Sequence, residues 1–127
     1  MRRAYFDASA IVKLSRAEAQ SQALIDYLED SPIEVATSVI AEIETTIALK
    51  RGGLDFDEAV RGFHLMTLDN DVRREASRLK LPLRALDAIH VATALAIGDR
   101  DLEFVTYDDR MAAAARDAGL KVIQPGC

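Results

Sequence analysis

Short apolar runs alternate with longer segments of helical periodicity along almost all of this 127-residue chain. Parallel strands joined by helical crossovers form a sheet whose two faces are both covered. The sequence therefore predicts an α/β fold, a three-layer α/β/α sandwich with a central parallel sheet of four to five strands, in a single domain over residues 1–127. The predicted strands are Arg3 to Phe6, Ile33 to Thr37, Leu102 to Thr106 and Leu120 to Ile123, with an ambiguous extended segment at Leu65 to Leu68.

The helices are predicted from apolar spacing and from residues that begin or end a helix. Ser38 and Asp69 are expected to cap helices. Gly52-Gly53, Pro82, Gly98 and Gly119 are expected to follow helix ends. The predicted helices are Ala8 to Leu14, Ala19 to Glu29, Val39 to Arg51, Asp57 to Leu65, Asn70 to Leu79, Leu86 to Ile97 and Asp109 to Ala118. The buried stripe of the third is predicted to be Val39, Ile40, Ile43 and Ile47.

The net charge of the chain is −5. A typical nucleic-acid-binding module is basic, so this acidity counts against a nucleic-acid partner unless clustered acids hold cations that reverse the local charge. Cys127 is the only cysteine, which leaves it without a disulfide partner and fits a reducing cytosol. Asp7 and Lys13 interrupt the apolar start, so a signal peptide is not expected. No run is long enough to span a membrane, and a cytoplasmic protein is predicted.

Four acidic residues occupy positions where an isolated charge is unfavourable. Asp7 and Asp108 directly follow apolar strands, Asp87 lies in the first turn of an apolar helix, and Glu44 lies in the helix after the second strand. Carboxylates are rarely buried unless they are paired or bind a metal. Because ligands of open α/β sheets bind outside the carboxyl ends of the strands, all four acids can converge on one crevice.

Each acid also has a purely structural interpretation. The three aspartates are each placed to cap a helix, with Asp109 as a second candidate at the last one. Glu44 alone would be an ordinary solvated residue. Glu42 is two positions away, and the two glutamates point to different sides of the helix without either being centred on its apolar stripe. The residues alone do not decide which of the two glutamates belongs to a site. Only the possible convergence of the four acids favours a site at all.

Convergence of the acids would constrain the chemistry. A site of oxygen ligands selects hard cations such as Mg²⁺ or Mn²⁺, and four carboxylates can hold one or two ions. Such ions polarise a phosphoryl oxygen, activate a water molecule and stabilise the leaving oxygen. Without metal, the carboxylates would repel a phosphodiester. The acids therefore predict metal-dependent phosphodiester hydrolysis.

Four segments in this order carry a resemblance to a known family. They are Phe6-Asp7-Ala8-Ser9-Ala10, Thr37-Ser38 with Glu44 six residues after the serine, Leu86-Asp87-Ala88-Ile89-His90-Val91-Ala92-Thr93-Ala94, and Phe104-Val105-Thr106-Tyr107-Asp108 followed by Asp109-Arg110. Together they resemble the PIN-domain family, specifically the VapC-type toxins of bacterial type II toxin–antitoxin modules. The resemblance covers essentially the whole chain. It implies that the catalytic and metal-binding residues are Asp7, Glu44, Asp87 and Asp108.

The resemblance also implies roles for neighbouring residues. Ser9 matches a small hydroxyl residue near the metal and the scissile phosphate, and Thr106 matches a supporting Thr or Ser beside the site. The spacing favours Glu44 over Glu42. Asp109 has two possible roles, as part of the metal site or as a helix cap, and the cap is preferred. His90 is expected to be a packed residue, because nothing nearby would orient it as a general base.

The activity that the resemblance implies is that of a metal-dependent endoribonuclease, with one or two Mg²⁺ or Mn²⁺ ions, which arrests growth by cutting cellular RNA. The implied partners are RNA, a second copy of the chain and a VapB-type antitoxin, in a heterotetramer or larger assembly away from any membrane. The C-terminal segment of such an antitoxin wraps over the toxin and often offers a basic residue to the acidic pocket. Basic residues near the predicted site are candidates for RNA contact, although each is also explained as a solvated surface residue; they are Lys13, Arg16, Arg84 and Arg110.

Two other classes are weighed against this interpretation. A catalytically silent PIN-like module that binds protein or RNA would be favoured by a missing acid, but all four are present. A phosphoacceptor receiver domain needs an acidic pair after the first strand and a lysine after the last. Here Ala8-Ser9 and Gln124-Pro125 occupy those positions. Ser9 also stands where a phosphatase with an aspartyl nucleophile has its second aspartate.

Overall fold

One parallel sheet forms the centre of the computed structural model, which describes residues 1–50, 55–79 and 83–127. The strands in these ranges are β1 (Arg2–Phe6), β2 (Ile33–Ser38), β3 (His64–Met66), β4 (Glu103–Val105) and β5 (Lys121–Ile123). Their order across the sheet is β3-β2-β1-β4-β5, and every neighbouring pair is parallel. The predicted parallel sheet is therefore confirmed, with five strands, and the ambiguous segment near Leu65 is one of them.

Helices connect successive strands. Within the described residues they are α1 (Ala8–Ser15), α2 (Ser21–Glu29), α3 (Val39–Ala48), α4 (Phe56–Ala59), α5 (Asn70–Arg78), α6 (Ala85–Ile97) and α7 (Asp109–Asp117). Ser38 and Asp69 cap α3 and α5 as predicted, each accepting a backbone N–H of the first turn. Gly98 follows α6 at φ 76°, in the left-handed region that favours glycine. The predicted boundaries at Arg51, Gly52-Gly53 and Pro82 lie outside the described residues.

Alternate residues of the central strands enter two different hydrophobic cores. Phe6 packs with residues of α1, α2 and α4 on one face of the sheet. Tyr5 packs with residues of α6 and α7 on the other face. Both faces are apolar because both are covered, which explains why the strands are continuous apolar runs rather than alternating ones. The three-layer α/β/α arrangement is confirmed.

The predicted buried stripe of α3 is wrong at two of its four positions, since Val39 and Ile40 are half-buried but Ile43 and Ile47 are not. Ile43 and Ile47 are 56% and 60% exposed, whereas Ala41 and Thr45 are fully buried. Ala41 and Thr45 are four residues apart and share one helix face, and their small side chains let α3 lie close to the rest of the fold. This orientation leaves two large apolar side chains at the surface and places Glu44, next to Thr45, in a half-buried position.

The predicted helix from Asp57 to Leu65 is also wrong in extent. It is confined to the single turn of α4, which Asp55 caps. Gly62 has a φ of 85°, so the chain reverses there and enters β3 as an extended segment. The ring of Phe63 then packs against that of Phe6, with 5.3 Å between the ring centroids.

The strand order places a topological switch point beside β1. The chain passes from β1 to β2 and β3 on one side of the sheet, and then crosses to β4 and β5 on the other side. Ligands of open α/β sheets bind at the carboxyl ends of the strands where the order reverses. The crevice is therefore expected just beyond Phe6 and Val105, which pair across β1 and β4.

A partly buried ion pair joins β1 to β4 at the opposite end of the sheet. Glu103 accepts hydrogen bonds from Arg2 at 3.2 and 3.3 Å and from the Tyr27 hydroxyl at 2.8 Å. Burial alone would raise the pKa of Glu103, but these bonds outweigh it and hold the pKa below its usual value. A carboxylate with a lowered pKa stabilises the fold above its unfolded pKa, and this stabilisation is lost as the pH falls through the folded pKa.

We expect Glu103→Gln to lower the free energy of unfolding by about 1–2 kcal/mol at pH 7, because a charge-assisted contact becomes a neutral one. The difference from wild type should shrink as the pH falls below about 4, where glutamate protonates in the unfolded chain. Urea unfolding of both proteins at several pH values measures this difference in the free energy of unfolding. A difference that stays constant from pH 7 to below about pH 4 would contradict the prediction.

No helix within the described ranges combines the length and the apolar character that crossing a bilayer requires.

Candidate active site

Asp7 leaves the end of β1 with its carboxylate almost completely buried. It is 2% exposed and is the N-cap of α1. Oδ1 accepts hydrogen bonds from Ser9 Oγ at 2.6 Å and from the Ala10 N–H at 3.1 Å. Oδ2 accepts a hydrogen bond from Thr106 Oγ1 at 2.5 Å. The structural and functional interpretations of Asp7 therefore coexist, because the residue caps a helix and also lies at the switch point.

Ser9 and Thr106 connect Asp7 to the segment that follows β4. Ser9 Oγ accepts the backbone N–H of Tyr107 at 2.8 Å, and Thr106 Oγ1 accepts that of Asp108 at 3.1 Å. The two hydroxyls lie 3.3 Å apart. They use their protons on Asp7 and their lone pairs on the backbone, so both are fixed in orientation. The structure thus brings Asp7, Ser9, Thr106 and the start of α7 into one hydrogen-bonded group.

The charge of Asp7 is poorly compensated. Burial raises the pKa of its carboxyl, and the hydrogen bonds from Ser9 and Thr106, with the nearby His90, offset that effect only in part. Among the residues that the structure describes, no lysine or arginine forms an ion pair with Asp7. A buried carboxylate without a positive partner is costly, and a bound cation removes that cost.

Glu44 lies on α3 with its side chain 33% exposed, and it contacts α6. Its Oε1 is 2.5 Å from Nε2 of His90, which is 1% exposed. The other ring nitrogen of His90 is 2.7 Å from the hydroxyl of Tyr5. The expectation that nothing would orient His90 is therefore wrong, since it is held from both sides. Glu42, in the first turn of α3, shows no such contact among the described residues.

Asp87 lies in the first turn of α6, half-buried and one turn before His90. The N-cap of α6 is Arg84, so Asp87 is not the cap of this helix. Its side chain accepts no hydrogen bond from the rest of the described chain. His90 is three positions after Asp87, so both project from a similar face of the helix.

Asp108 is exposed, and its Oδ1 accepts the N–H groups of Arg110 and Met111. Asp108 and not Asp109 is therefore the N-cap of α7. The preference for Asp109 as the cap is wrong, because the helix begins with Asp109 itself. Asp109 is exposed, in the first turn.

The four acids are not assembled as a metal cage. In the described ranges, no three histidine, cysteine, aspartate or glutamate side chains lie close enough together to hold a metal ion. Asp7 and Asp108 are linked through Thr106, and Glu44 is linked to His90, which is near enough to Asp7 to influence its pKa. All of the available ligands are carboxylate and hydroxyl oxygens, which suit Mg²⁺ or Mn²⁺.

Of the basic residues considered for RNA contact, Lys13 is the most constrained. Its Nζ is 3.4 Å from Glu18 Oε1 and 5.3 Å from the centre of the Tyr107 ring. The other three, Arg16, Arg84 and Arg110, are exposed.

The sequence interpretation missed the polar group behind Glu44. Tyr5, which is fully buried, contacts Ser38 Oγ at 3.0 Å as well as His90. The available signal was a tyrosine in the middle of a buried strand, since a buried phenol requires a hydrogen-bond partner.

Residues 4–117 match the family model described as the PIN domain. The chain therefore belongs to the PIN-domain family. Within that family it is similar to two proteins of Mycobacterium tuberculosis named as VapC ribonucleases. Ribonuclease VapC46 is 41% identical over 126 residues, covering 95% of this chain and 96% of the relative. Ribonuclease VapC35 is 36% identical over 130 residues, covering 96% of each.

Solved structures share the fold at lower identity. The crystal structure of Mycobacterium tuberculosis VapC20, described as a toxin that cleaves the sarcin–ricin loop, matches with a TM-score of 0.72 and 19% identity, over 96% of this chain and 99% of that chain. VapBC-1 from nontypeable Haemophilus influenzae matches with a TM-score of 0.66 and 12% identity, over 96% and 97%.

Proposed function

We propose that this chain is a metal-dependent endoribonuclease toxin of a type II toxin–antitoxin module, built as a single PIN domain over residues 1–127. The observation that carries the proposal is the buried carboxylate of Asp7 at the switch point, which has no cationic side chain paired to it among the described residues. The 36–41% identity to VapC ribonucleases over nearly the whole chain supports the same activity.

The proposed metal ligands are the four acids, with Mg²⁺ or Mn²⁺ as the cofactor and one or two ions bound. Their donor set fits these ions because it consists of carboxylate oxygens. When held by these carboxylates, such ions would supply a Lewis acid for a phosphoryl oxygen and would lower the pKa of a bound water. The carboxylates each retain free lone pairs beside the bonds described above, so metal binding does not require those bonds to break. The proposed set is Asp7, Glu44, Asp87 and Asp108.

Ser9 and Thr106 are proposed to orient the Asp7 carboxylate. Their hydroxyls hold Oδ1 and Oδ2 from two different elements, α1 and the segment after β4. Because each hydroxyl is itself anchored by a backbone N–H, the carboxylate has one preferred rotation. Asp109 and Glu42 remain outside this proposed set.

Asp108→Asn separates the charge of Asp108 from its role as a helix cap. Asparagine caps helices about as well as aspartate, so α7 should remain intact while a metal ligand is weakened. We expect purified wild-type protein, free of antitoxin, to make discrete cuts in total bacterial RNA with Mn²⁺ or Mg²⁺. The cuts should disappear with a chelator and fall at least about tenfold in the variant.

Asp69→Asn is the matched control, because Asp69 caps α5 in the same way and lies beyond the outer strand β3. It should cut RNA like the wild type. Cleavage that persists in excess chelator would contradict the metal-dependent mechanism.

A catalytically silent module that binds RNA or protein is the second candidate. The observation in its favour is that no group of three acidic, histidine or cysteine side chains forms a metal cage within the described residues. It predicts no cleavage by wild type or variants under any metal condition, together with RNA or protein binding that survives Asp108→Asn.

We further propose that the chain binds a VapB-type antitoxin and pairs with a second copy of itself, in the cytoplasm where its RNA substrate is found. Solved neighbours include VapBC-1 from Haemophilus influenzae and a toxin–antitoxin complex from Klebsiella pneumoniae. Exposed Ile43 and Ile47 on α3 are apolar surface of the kind that another chain covers. An acidic crevice would also accept a basic residue of the antitoxin.

A further inference from the structure

His90 is a fully buried imidazole whose two nitrogens both have partners. Nε2 contacts Glu44 Oε1 at 2.5 Å, and Nδ1 contacts the Tyr5 hydroxyl at 2.7 Å. The Tyr5 ring also packs edge-on against the imidazole, with 5.9 Å between the centroids and an angle of 60°. These contacts fix both the position and the rotation of the imidazole.

The direction of the bond to Glu44 follows from the chemistry of the two groups. An ionised carboxylate only accepts hydrogen bonds, so Nε2 must carry the hydrogen and donate it. The Tyr5 hydroxyl both donates and accepts, and it therefore satisfies Nδ1 in either form of the ring. Behind Tyr5, Ser38 Oγ contacts the phenol at 3.0 Å and accepts the Ala41 N–H at 3.1 Å. The group thus extends from the N-terminus of α3 to the carboxylate of Glu44.

The members of this group adjoin the proposed metal ligands in the chain. Tyr5 is two residues before Asp7 on β1, and His90 is one turn after Asp87 on α6. Ser38 caps the helix that carries Glu44. An apolar side chain of similar volume would fill the core at position 90 without needing two polar partners. Glu44, one-third exposed, would be solvated without a buried donor, so stability alone gives little reason for this bond.

We propose that His90 is a positioning residue for the metal site, in which its Nε2–H holds Glu44 Oε1 and leaves Oε2 free to serve as a metal ligand. This inference rests on the proposed function, because it requires Glu44 to be a metal ligand. A free glutamate side chain populates many rotamers, and fixing it in advance removes an entropic cost of metal binding. Donors that orient a ligating side chain typically change metal affinity 10- to 100-fold when they are removed, roughly the size of effect expected here.

The test is direct Mn²⁺ binding to the metal-free full-length protein, measured by calorimetry, with thermal unfolding recorded for every variant. His90→Leu should weaken Mn²⁺ binding at least about tenfold. His90→Gln should retain most of the affinity, since its amide carries a donor near the position of Nε2. His64→Leu is the matched control, because His64 is exposed on the edge strand β3, and it should bind Mn²⁺ like the wild type.

A double-mutant comparison shows whether His90 acts through Glu44. In a Glu44→Gln background, His90→Leu should cause little further loss of Mn²⁺ affinity. Full additivity of the two losses, or wild-type affinity in folded His90→Leu, would overturn the inference. If His90→Leu does not fold, the Mn²⁺ affinities of His90→Gln and Tyr5→Phe test the positioning role instead. In that case Tyr5→Phe should weaken Mn²⁺ binding by a smaller factor, because Nδ1 loses its support, and unchanged affinity would overturn the inference.

Asp7→Asn separates this inference from the proposed function. If Asp7→Asn abolishes Mn²⁺ binding and His90→Leu does not weaken it, only the positioning role fails. If neither Asp7→Asn nor Glu44→Gln affects Mn²⁺ binding, the metal site itself is wrong and the positioning role fails with it.

Discussion

Asp7→Asn should reduce the rate of RNA cleavage by about 10²- to 10⁴-fold, which corresponds to losing several kcal/mol of metal-dependent transition-state stabilisation. The physical reason is the loss of the most buried carboxylate in the proposed site, whose two oxygens are already oriented by Ser9 and Thr106. Asparagine still caps α1, so the helix that begins at Ala8 should remain in place. Initial rates of cleavage of total RNA, at saturating Mn²⁺ and with antitoxin removed, measure the effect.

The control for this experiment is again Asp69→Asn, an identical change at a helix cap away from the switch point. Far-ultraviolet circular dichroism should show the same helix content in both variants and the wild type. Cleavage by Asp7→Asn within about twofold of the wild-type rate would remove Asp7 from the catalytic group, since a lost ligand typically costs 10-fold or more.

The second large effect is a reversal of thermal stability. Without metal at pH 7, Asp7→Asn should melt at a higher temperature than the wild type, because it removes a buried carboxylate that forms no ion pair with a lysine or arginine among the described residues. With Mn²⁺ at about 100 times its dissociation constant, binding should stabilise the wild type by about 2.7 kcal/mol. This corresponds to a rise of roughly 10 °C in the melting temperature for a domain of this size. The variant should gain much less, so the order of the two melting temperatures should invert.

Differential scanning calorimetry of both proteins, with and without Mn²⁺, tests the reversal. Mg²⁺ should act in the same direction. An equal rise in both melting temperatures would mean that Mn²⁺ binds independently of Asp7. A variant that is less stable than the wild type without metal would mean that the surrounding hydroxyls already compensate the buried charge.

The sequence predicted the features that depend on local pattern. Buried parallel strands are continuous apolar runs, so β1, β2, β4 and β5 were found from their composition. Asp7 and Asp108 could be placed because each comes directly after such a run, and the carboxyl ends of parallel strands share one edge of the sheet. Ser38 and Asp69 were found as caps because capping depends on a residue and the next three positions.

Features that depend on packing between distant segments cannot be predicted from the local sequence pattern. The rotation of α3 is set by the fit of Ala41 and Thr45 against the rest of the fold, and hydrophobicity alone favoured Ile43 and Ile47 instead. The contacts of His90 join three elements that are 46 and 85 residues apart along the chain. The local periodicity of the sequence does not contain information about such distant contacts. The sequence alone therefore predicts only a histidine packed in the core.

The pairing of β1 with β4 has a consequence for synthesis of the protein. Thr106 and Asp7 are 99 residues apart in sequence, and β4 supplies the strand beside the end of β1. Long-range parallel pairing of this kind forms only after the intervening chain has been made. A ribosome that stops before codon 106 releases a fragment without Thr106 or Asp108. Such a fragment cannot complete the hydrogen-bonded group around Asp7, because Thr106 is one of the donors to its carboxylate.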